Sequence, residues 1–354
     1  MMDPYLLDGH KLLWHLDRVD QWETGARIAP LHIDLGITTG CNMRCLYCYG
    51  RLQGQTDVAR RFDMPKRPLL DLLQSAQDIG VRSVAIMGEG ENTLNDALYD
   101  ALLHAHKIGL PVGLATNGLR LRRHELVLEC LSWLRFNLSA ADELAFNAVH
   151  GLPGRTLDAV LRNITSCVEI KRRRGLPVII GLQMILLPQF THQIVPMAKL
   201  GKEVGVDYLE IKPCSDTPSG RLGGPYIYNG IEQALREAET FSTKSYSVAV
   251  NWRKLKGHKT YGACYGTAFI IAISGDGRVF PCRHFFVFRC HEFFMGNILE
   301  ASLKEVVESD RYWEVQGKVQ HLHPSEDCEI NCRQHYINEF LWAIQNPPPQ
   351  VEFI

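Results

Sequence analysis

The chain has 354 residues, of which 46% are hydrophobic and 22% are charged, and its net charge is −1 at pH 7. This is the composition of a globular protein with room for a large core or two domains, and the balanced charge argues against nucleic acid or an anionic membrane as the main partner. The first residues lack the basic start of a signal peptide, and the longest apolar stretch, 178–187, is too short to span a bilayer. We therefore expect a cytoplasmic protein.

Strands and helices alternate from residue 31 to about residue 222. One predicted helix begins with Asp63 as N-cap and Pro65 in its first turn, and others cover 157–174 and 193–204. The strands are mostly continuous apolar runs, which are typical of parallel strands buried on both faces. We therefore expect an α/β fold, a partial (β/α)6 barrel similar to a TIM barrel, with its chemistry at the carboxyl ends of the strands. The six predicted strands are 31–37, 83–87, 111–115, 134–139, 177–186 and 207–213.

The rest of the chain predicts a smaller α+β domain. Residues 218–230 are rich in glycine and irregular, as in a linker, and a helix over 231–241 and a strand over 245–252 follow. A hairpin over 268–282 turns at Ser-Gly-Asp-Gly, and a helix over 301–316 comes next. The expected units are an N-terminal extension, the barrel, a linker helix and strand, the smaller domain and a tail. Their boundaries are 1–30, 31–222, 223–255, 256–340 and 341–354.

Eleven cysteines are spread unevenly, with one group after the first strand and another after residue 263. In a cytoplasmic protein such thiols indicate metal binding or catalysis rather than disulfides. Cys41, Cys45 and Cys48 can hold three corners of a four-iron cluster, which normally has four protein ligands, so one iron stays open to a small molecule. A structural zinc or an electron-transfer cluster is the alternative interpretation.

The spacing Cys-x3-Cys-x2-Cys resembles the signature of the radical S-adenosylmethionine (SAM) superfamily. Tyr47 fills the aromatic position before the last cysteine. After the second strand, Met-Gly-Glu-Gly-Glu-Asn resembles the family's Gly-Gly-Glu-Pro segment, with Gly90 and Glu91 matching Gly-Glu and Asn92 replacing proline. Thr-Asn-Gly at 116–118 and Asn-Leu-Ser at 137–139 are similar elements at the ends of later strands, so the likeness covers the first 215 residues in order.

The resemblance implies a [4Fe–4S] cluster on the three cysteines, with SAM bound at the open iron. One electron then cleaves SAM to methionine and a 5′-deoxyadenosyl radical, which removes hydrogen from an unactivated carbon. By resemblance, Gly90 and Glu91 contact the methionine amino group and Tyr47 lies by the adenine. The residues implied to contact the SAM ribose or carboxylate are Asn117, Ser139 and Gln183.

The C-terminal cysteines resemble the SPASM or twitch extension of radical SAM enzymes, which binds auxiliary iron–sulfur clusters. Val319 and Leu322 stand where the full SPASM pattern has a further Cys-x2-Cys, which favours the twitch type with one auxiliary [4Fe–4S] cluster. Cys290 as a ligand, and a structural zinc in place of the cluster, remain alternatives. The ligands that the resemblance implies are Cys264, Cys282, Cys328 and Cys332.

Cys214 follows the sixth strand on the catalytic rim, where a thiol could donate a hydrogen atom to a substrate radical. The other interpretations are a small buried cysteine, or substrate binding or base catalysis by Lys212 or Asp216 instead.

The resemblance implies a radical SAM enzyme of the oxidoreductase type, which dehydrogenates a small polar substrate such as a sugar or aminocyclitol. Its auxiliary cluster relays electrons, and flavodoxin or ferredoxin is the expected electron donor. The alternatives are thioether formation or epimerisation in a ribosomal peptide, a sugar epimerase or decarboxylase, and a non-catalytic iron–sulfur protein. About thirty residues precede the first strand, too few for the winged-helix peptide-binding domain of many peptide-modifying members, which favours the small substrate.

Overall fold

The computed structural model describes residues 5, 10–48, 61–215, 228, 230–255, 259–286 and 288–353. Within these ranges the strands are, in chain order from β1 to β10, His32–Leu35, Ser83–Ile86, Val112–Thr116, Trp133–Asn137, Ile179–Leu186, Tyr208–Pro213, Ser247–Val250, Ile270–Ile273, Arg278–Phe280 and Gly296–Asn297.

The α-helices of the described residues pack around and beyond this sheet. In chain order from α1 to α14 they are Leu16–Glu23, Lys66–Asp78, Ala97–Lys107, His124–Cys130, Glu143–His150, Leu157–Arg174, Ile194–Val204, Glu232–Glu239, Trp252–Leu255, Cys290–Phe293, Leu303–Glu308, Asp310–Gln320, Pro324–Asp327 and His335–Gln345. Short 3₁₀ helices cover His10–Trp14, Asn92–Leu94, Pro188–Gln193, Gly266–Ala268 and Arg283–Phe286. None of the helices in the ranges given above is both long and apolar enough to cross a membrane.

The ten strands of the described residues form one sheet, ordered β10-β9-β8-β1-β2-β3-β4-β5-β6-β7. All neighbours from β1 to β7 are parallel, and the sheet is not closed, which confirms the predicted α/β partial barrel. The six predicted barrel strands are all present, with ends displaced by no more than a few residues. Their carboxyl ends therefore meet on one side, where the predicted motifs lie.

The predicted hairpin does not stand apart from the barrel. Strand β8 pairs with β9 antiparallel, as the sequence predicts, but it also pairs with β1 in parallel register, His32 opposite Ile270. All four residues of β8 are buried, so the strand can lie inside a sheet as well as at its edge. The C-terminal elements thus continue the barrel sheet directly.

Two helix boundaries differ from the prediction. Asp63 is not the N-cap of α2; Pro65 holds that position, and the Asp63 carboxylate instead accepts hydrogen bonds from Arg61 and Thr38. The helix predicted over 301–316 is two helices, α11 and α12, because Ser309 has extended φ and ψ and caps α12 by accepting a hydrogen bond from the backbone N–H of Tyr312. Most of the predicted linker at 218–230 lies outside the described residues.

Candidate active site

The cysteine loop, residues 41–48, follows β1 and is held against α5. The backbone N–H of Arg44 donates to the carbonyl of His150, and the Cys45 Sγ lies 3.1 Å from the His150 Nδ1. Burial raises the pKa of Cys41 to about 12 and that of Cys45 well above its usual range, and the nearby Cys48 thiol raises both further. Burial also lowers the pKa of His150 to about 3, so its ring carries no charge that could stabilise thiolates. The three thiols are close enough to interact electrostatically, and Cys41 and Cys45 need a cationic partner to remain deprotonated.

The loop after β2 runs against the backbone around the end of β1, and glycines make this approach possible. A Cβ on Gly88 would collide with the backbone just past β1, and a Cβ on Gly90 would collide with carbonyl groups of residues 38 and 40. Asn92 replaces the proline of the family pattern, and its Oδ1 accepts a hydrogen bond of 2.9 Å from the backbone N–H of Ile37. The asparagine thus ties the loop to β1.

Glu91 organises the ends of the first three strands. Its Oε1 accepts hydrogen bonds from the Thr93 N–H at 3.2 Å and from the Thr93 and Thr116 hydroxyls at 2.6 Å, and its Oε2 accepts one from the Asn117 N–H at 2.7 Å. The Asn117 Nδ2 donates to the Asn42 Oδ1 at 2.7 Å. The carboxylate of Glu91 is therefore occupied by the chain's own donors, and the predicted SAM contact at Asn117 is currently a contact with the cysteine loop.

Three further predicted SAM contacts lie just after β4, on β5 and in the cysteine loop. The Tyr47 hydroxyl is hydrogen-bonded to Ser139, and burial raises the pKa of this tyrosine well above its usual range. The Ser139 Oγ accepts a hydrogen bond of 3.1 Å from the Ile185 N–H. The Gln183 Nε2 donates to the Asn137 Oδ1 at 3.1 Å, while the Gln183 Oε1 is buried without a partner among the described residues.

A cavity of about 200 Å³ opens at the carboxyl ends of the barrel strands, and we call it the main cavity. The predicted SAM and cluster residues in its wall are Tyr47, Cys48, Gly90, Glu91 and Gln183. The other predicted residues of the SAM and first-cluster site, Cys41, Cys45, Asn117 and Ser139, do not line it, and neither does Cys214. The structure thus gathers most of the predicted SAM site around one opening.

Cys214 is buried, and its backbone N–H donates to the Tyr228 hydroxyl. Its neighbours Lys212 and Ser215 line the main cavity, whereas Asp216 lies outside the described residues. The hydrogen-donor role of Cys214 stays a prediction. The buried apolar residues that pack with Cys214 are Val149, Ile185 and Leu187.

The four predicted auxiliary-cluster cysteines line a second cavity, of about 40 Å³, which we call the cysteine cavity. Burial raises the pKa of each thiol, to about 12 for Cys264, and the neighbouring cysteines add to the shift at Cys264, Cys282 and Cys328. Val319 and Leu322 also line this cavity, while Cys290 is not among its residues. Within the described ranges, no three His, Cys, Asp or Glu side chains converge on a position for a single metal ion. The four cysteines in question are Cys264, Cys282, Cys328 and Cys332.

Asp34 lies in the wall of both cavities and was missed by sequence reasoning. Its Oδ2 accepts a hydrogen bond of 2.6 Å from the Arg333 Nε, next to Cys332, and its Oδ1 lies 3.2 Å from the His32 Nε2. Burial alone would raise the pKa of this carboxyl, but Arg333 beside it lowers the pKa well below the usual range. The sequence signal for Asp34 was an aspartate inside an apolar strand. Nothing in the sequence indicated that its partner is Arg333, which lies 299 residues away.

Arg135, in the middle of β4, is a second missed residue of the main cavity. Its side chain is 2% exposed, its Nη1 lies 3.3 Å from the Glu210 Oε2 on β6, and its guanidinium lies over the Trp133 ring. Its Nε has no partner among the residues described. A charge within a strand that is otherwise apolar was the signal for this residue too.

Two parts of the chain match models of known protein families. Residues 35–200 match the model of the radical SAM superfamily, and residues 264–333 match the SPASM iron–sulfur cluster-binding domain. The chain belongs to the radical SAM superfamily. Its SPASM match spans all four cysteines of the cysteine cavity.

Relatives of this radical SAM protein are distant in sequence. It is 22% identical to the tungsten-containing aldehyde ferredoxin oxidoreductase cofactor-modifying protein of Pyrococcus furiosus, over 84% of this chain and 87% of the relative. It is 24% identical to the GTP 3′,8-cyclase of Staphylococcus carnosus, over 78% and 88%. A solved structure of Streptococcus suis SuiB bound to the precursor peptide SuiA superimposes with a TM-score of 0.64 at 16% identity, covering 91% of this chain and 73% of that one.

Membership of the superfamily means that the chain binds a [4Fe–4S] cluster with SAM, and the SPASM domain means an auxiliary cluster. The residues present fit both groups. The cysteine loop supplies three partly buried thiols, of which Cys48 lines the main cavity, and the cysteine cavity is lined by four. Buried thiols with raised pKa values are poor thiolates on their own, and metal coordination is what stabilises the deprotonated form.

Proposed function

We propose that this radical SAM enzyme removes hydrogen from a small polar substrate held in the main cavity and carries out a net dehydrogenation, with the SPASM-domain cluster as electron acceptor. SAM, bound at the first cluster, would supply the 5′-deoxyadenosyl radical. The chain's own contribution is to hold substrate and cofactor in one cavity and to keep a path for an electron to the second cluster.

The observation that carries this proposal is the wall shared by the two cavities. Asp34 on β1, Ala272 on β8 and Arg283 after β9 line both the main cavity and the cysteine cavity. A cluster in the cysteine cavity would therefore lie one layer of side chains from the substrate. Because all four thiols there come from the chain, that cluster has no open iron for SAM and suits electron transfer.

The wall of the main cavity supports a polar substrate. It carries side chains of both signs of charge beside apolar ones, so a polyhydroxylated or amino-bearing molecule would find both donors and acceptors. The charged residues in the wall are Asp34, Glu89, Glu91, Arg135, Lys212 and Arg283.

Gly90 and the neighbouring backbone are proposed to receive the methionine part of SAM, since the Glu91 carboxylate already has four hydrogen bonds within the chain. Tyr47 and Gln183 lie in the wall as expected for contacts to the nucleoside. Asn117 and Ser139 would reach SAM only after exchanging their present partners. A flavodoxin or ferredoxin remains the proposed source of electrons.

Modification of a peptide is the second candidate. The fold superimposes on SuiB, which has been solved with a precursor peptide bound. That likeness concerns the fold, and the relatives also include an enzyme named for GTP cyclisation, so substrate class varies widely among similar chains. The small charged cavity is what favours the small polar substrate here.

The test is anaerobic reconstitution with iron and sulfide, reduction with dithionite and addition of SAM. We expect 5′-deoxyadenosine, and in the presence of a C-deuterated substrate we expect deuterium in that product. A Cys282→Ala variant should still release 5′-deoxyadenosine but should not complete substrate oxidation, because its electron acceptor is damaged. Full product formation by Cys282→Ala would remove the electron-relay role, and absence of 5′-deoxyadenosine from the wild type would remove the proposal as a whole.

A further inference from the structure

Glu89 is a carboxyl group of the main cavity for which the family pattern gives no role. It stands where the Gly-Gly-Glu-Pro segment has its first glycine. Its Oε1 accepts a hydrogen bond of 2.8 Å from the backbone N–H of Gly275, in the turn between β8 and β9. Its Oε2 is buried and has no partner within the described part of the chain. An unsatisfied buried oxygen costs about 1–3 kcal/mol, so this atom is suited to a donor that arrives with a ligand.

The other carboxylates in the same wall are already engaged. Asp34 accepts from Arg333, and Glu91 accepts four hydrogen bonds from the chain. Two more buried polar atoms without a described partner also belong to wall residues, the Arg135 Nε and the Gln183 Oε1. The unsatisfied groups of the wall thus include two acceptors and one donor, which is the pattern of a site that completes its hydrogen bonds with a polar ligand.

We propose that Glu89 binds a hydroxyl or amino group of the substrate and takes up its proton during oxidation. The inference rests on the proposed function, since it assumes that the substrate occupies this cavity. For a carbon that bears a hydroxyl, the radical derived from SAM would remove the C–H hydrogen atom. The C–O bond would become a carbonyl once the O–H proton passed to the Glu89 Oε2, and an oxidised cluster held by the cysteine cavity would take up the remaining electron.

The charges around Glu89 suit a proton acceptor near neutral pH. Burial raises its pKa to about 7; the Gly275 N–H and Arg278 act against this shift, and Asp276 adds to it. Across the cavity, the wall presents Lys212, Arg283 and the engaged carboxylates Asp34 and Glu91. A group that titrates close to the working pH both accepts and releases a proton readily.

Infrared difference spectroscopy of the reconstituted holoenzyme tests the assignment. The carboxyl band of Glu89 is identified as the band that Glu89→Gln removes, and Asp276→Asn is the matched control, since it removes another carboxylate from the same turn. The probes are SAM alone, then SAM with glucosamine or with glucose. We expect SAM alone to leave the band in place and at least one of the two sugars to shift it. We also expect Glu89→Gln to weaken binding of that sugar about tenfold, as loss of a charge-assisted hydrogen bond would.

Each other result contradicts the assignment in a recognisable way. A shift with SAM alone, together with a tenfold weaker SAM affinity in Glu89→Gln, would show that the donor is the cofactor's amino group and not the substrate. A band that none of the probes moves would show that Glu89 has no ligand contact. If Glu89→Gln fails to assemble its clusters, Glu89→Asp replaces it, because that variant keeps the charge and withdraws the oxygen from the cavity. The band shift requires no turnover, so a failure of the proposed reaction, seen as missing 5′-deoxyadenosine, is a separate outcome.

Discussion

Replacing Asp34 by asparagine should destabilise the chain, because it removes the carboxylate that pairs with the Arg333 guanidinium. The two side chains are 12% and 18% exposed, and their nearest atoms are 2.6 Å apart. At a charge separation of about 4 Å and an effective dielectric constant of about 20, the lost attraction is about 4 kcal/mol. Breaking one partner of a buried pair typically costs about 3–5 kcal/mol, so we expect a loss of about 3 kcal/mol for this partly solvated pair.

The assay is urea unfolding followed by tryptophan fluorescence at pH 7, on Asp34→Asn, Arg333→Met and the double variant. The double variant should lose less than the sum of the single variants, since no buried charge is left alone. Because the pKa of Asp34 is lowered on folding, its stabilisation is present above the unfolded pKa of about 4 and disappears as the pH falls through the folded value. Additive losses in the double variant, or a loss below about 1 kcal/mol in Asp34→Asn, would refute the ion-pair reasoning.

Four further outcomes follow from the structure. Reconstituted wild type should hold about eight irons and Cys41→Ala about half of them, by iron and sulfide analysis; a wild-type value of four would contradict two clusters. Since the pKa of Glu89 is raised to about 7, the wild type should lose up to about 3 kcal/mol of stability between pH 4.5 and pH 7 that Glu89→Gln does not lose, measured by urea unfolding. Gly88→Ala should cost about 1–3 kcal/mol through its backbone collision, whereas Gly317→Ala, in an open position of a helix, should gain up to about 1 kcal/mol in the same assay. Cys214→Ala tests the hydrogen-donor role: unchanged turnover and unchanged solvent-deuterium incorporation would exclude it.

Local sequence signals predicted what depends on neighbours in the chain. The apolar runs placed six barrel strands, and the cysteine spacings placed two groups of thiols that the structure does bring together. The N-cap of α2 was predicted wrongly. Asp63 has a side chain that can cap a helix, but its carboxylate binds Thr38, which is distant in the sequence, and Pro65 takes the N-cap position. The prediction of one helix over 301–316 was wrong because a serine such as Ser309 can either continue a helix or cap the next one, and here it caps α12.

Contacts between residues that are far apart in the chain could not be predicted from the sequence. The hydrogen bond from Gly275 to Glu89 joins residues 186 positions apart, and the Asp34–Arg333 pair joins residues 299 apart. A single sequence shows the two charges but not their proximity. The pairing of β8 with β1 was missed in the same way, since a short buried strand of four residues carries no mark of its neighbour.

That pairing has a consequence for electron transfer. Because β8 lies beside β1 in the sheet, the turn after β8 reaches Glu89. Strand β1, which carries Asp34, is bonded to β8, and β8 is bonded to β9, the strand that leads toward Cys282. The main cavity and the cysteine cavity are therefore fixed to one hydrogen-bonded framework and not to two domains joined by a flexible contact. A fixed distance between the two cavities suits the proposed electron transfer, because the electron must leave a short-lived substrate radical before that radical reacts elsewhere. Weakening the β1–β8 contact should accordingly separate SAM cleavage from product formation, as damage to the cluster itself would, while leaving the iron content intact.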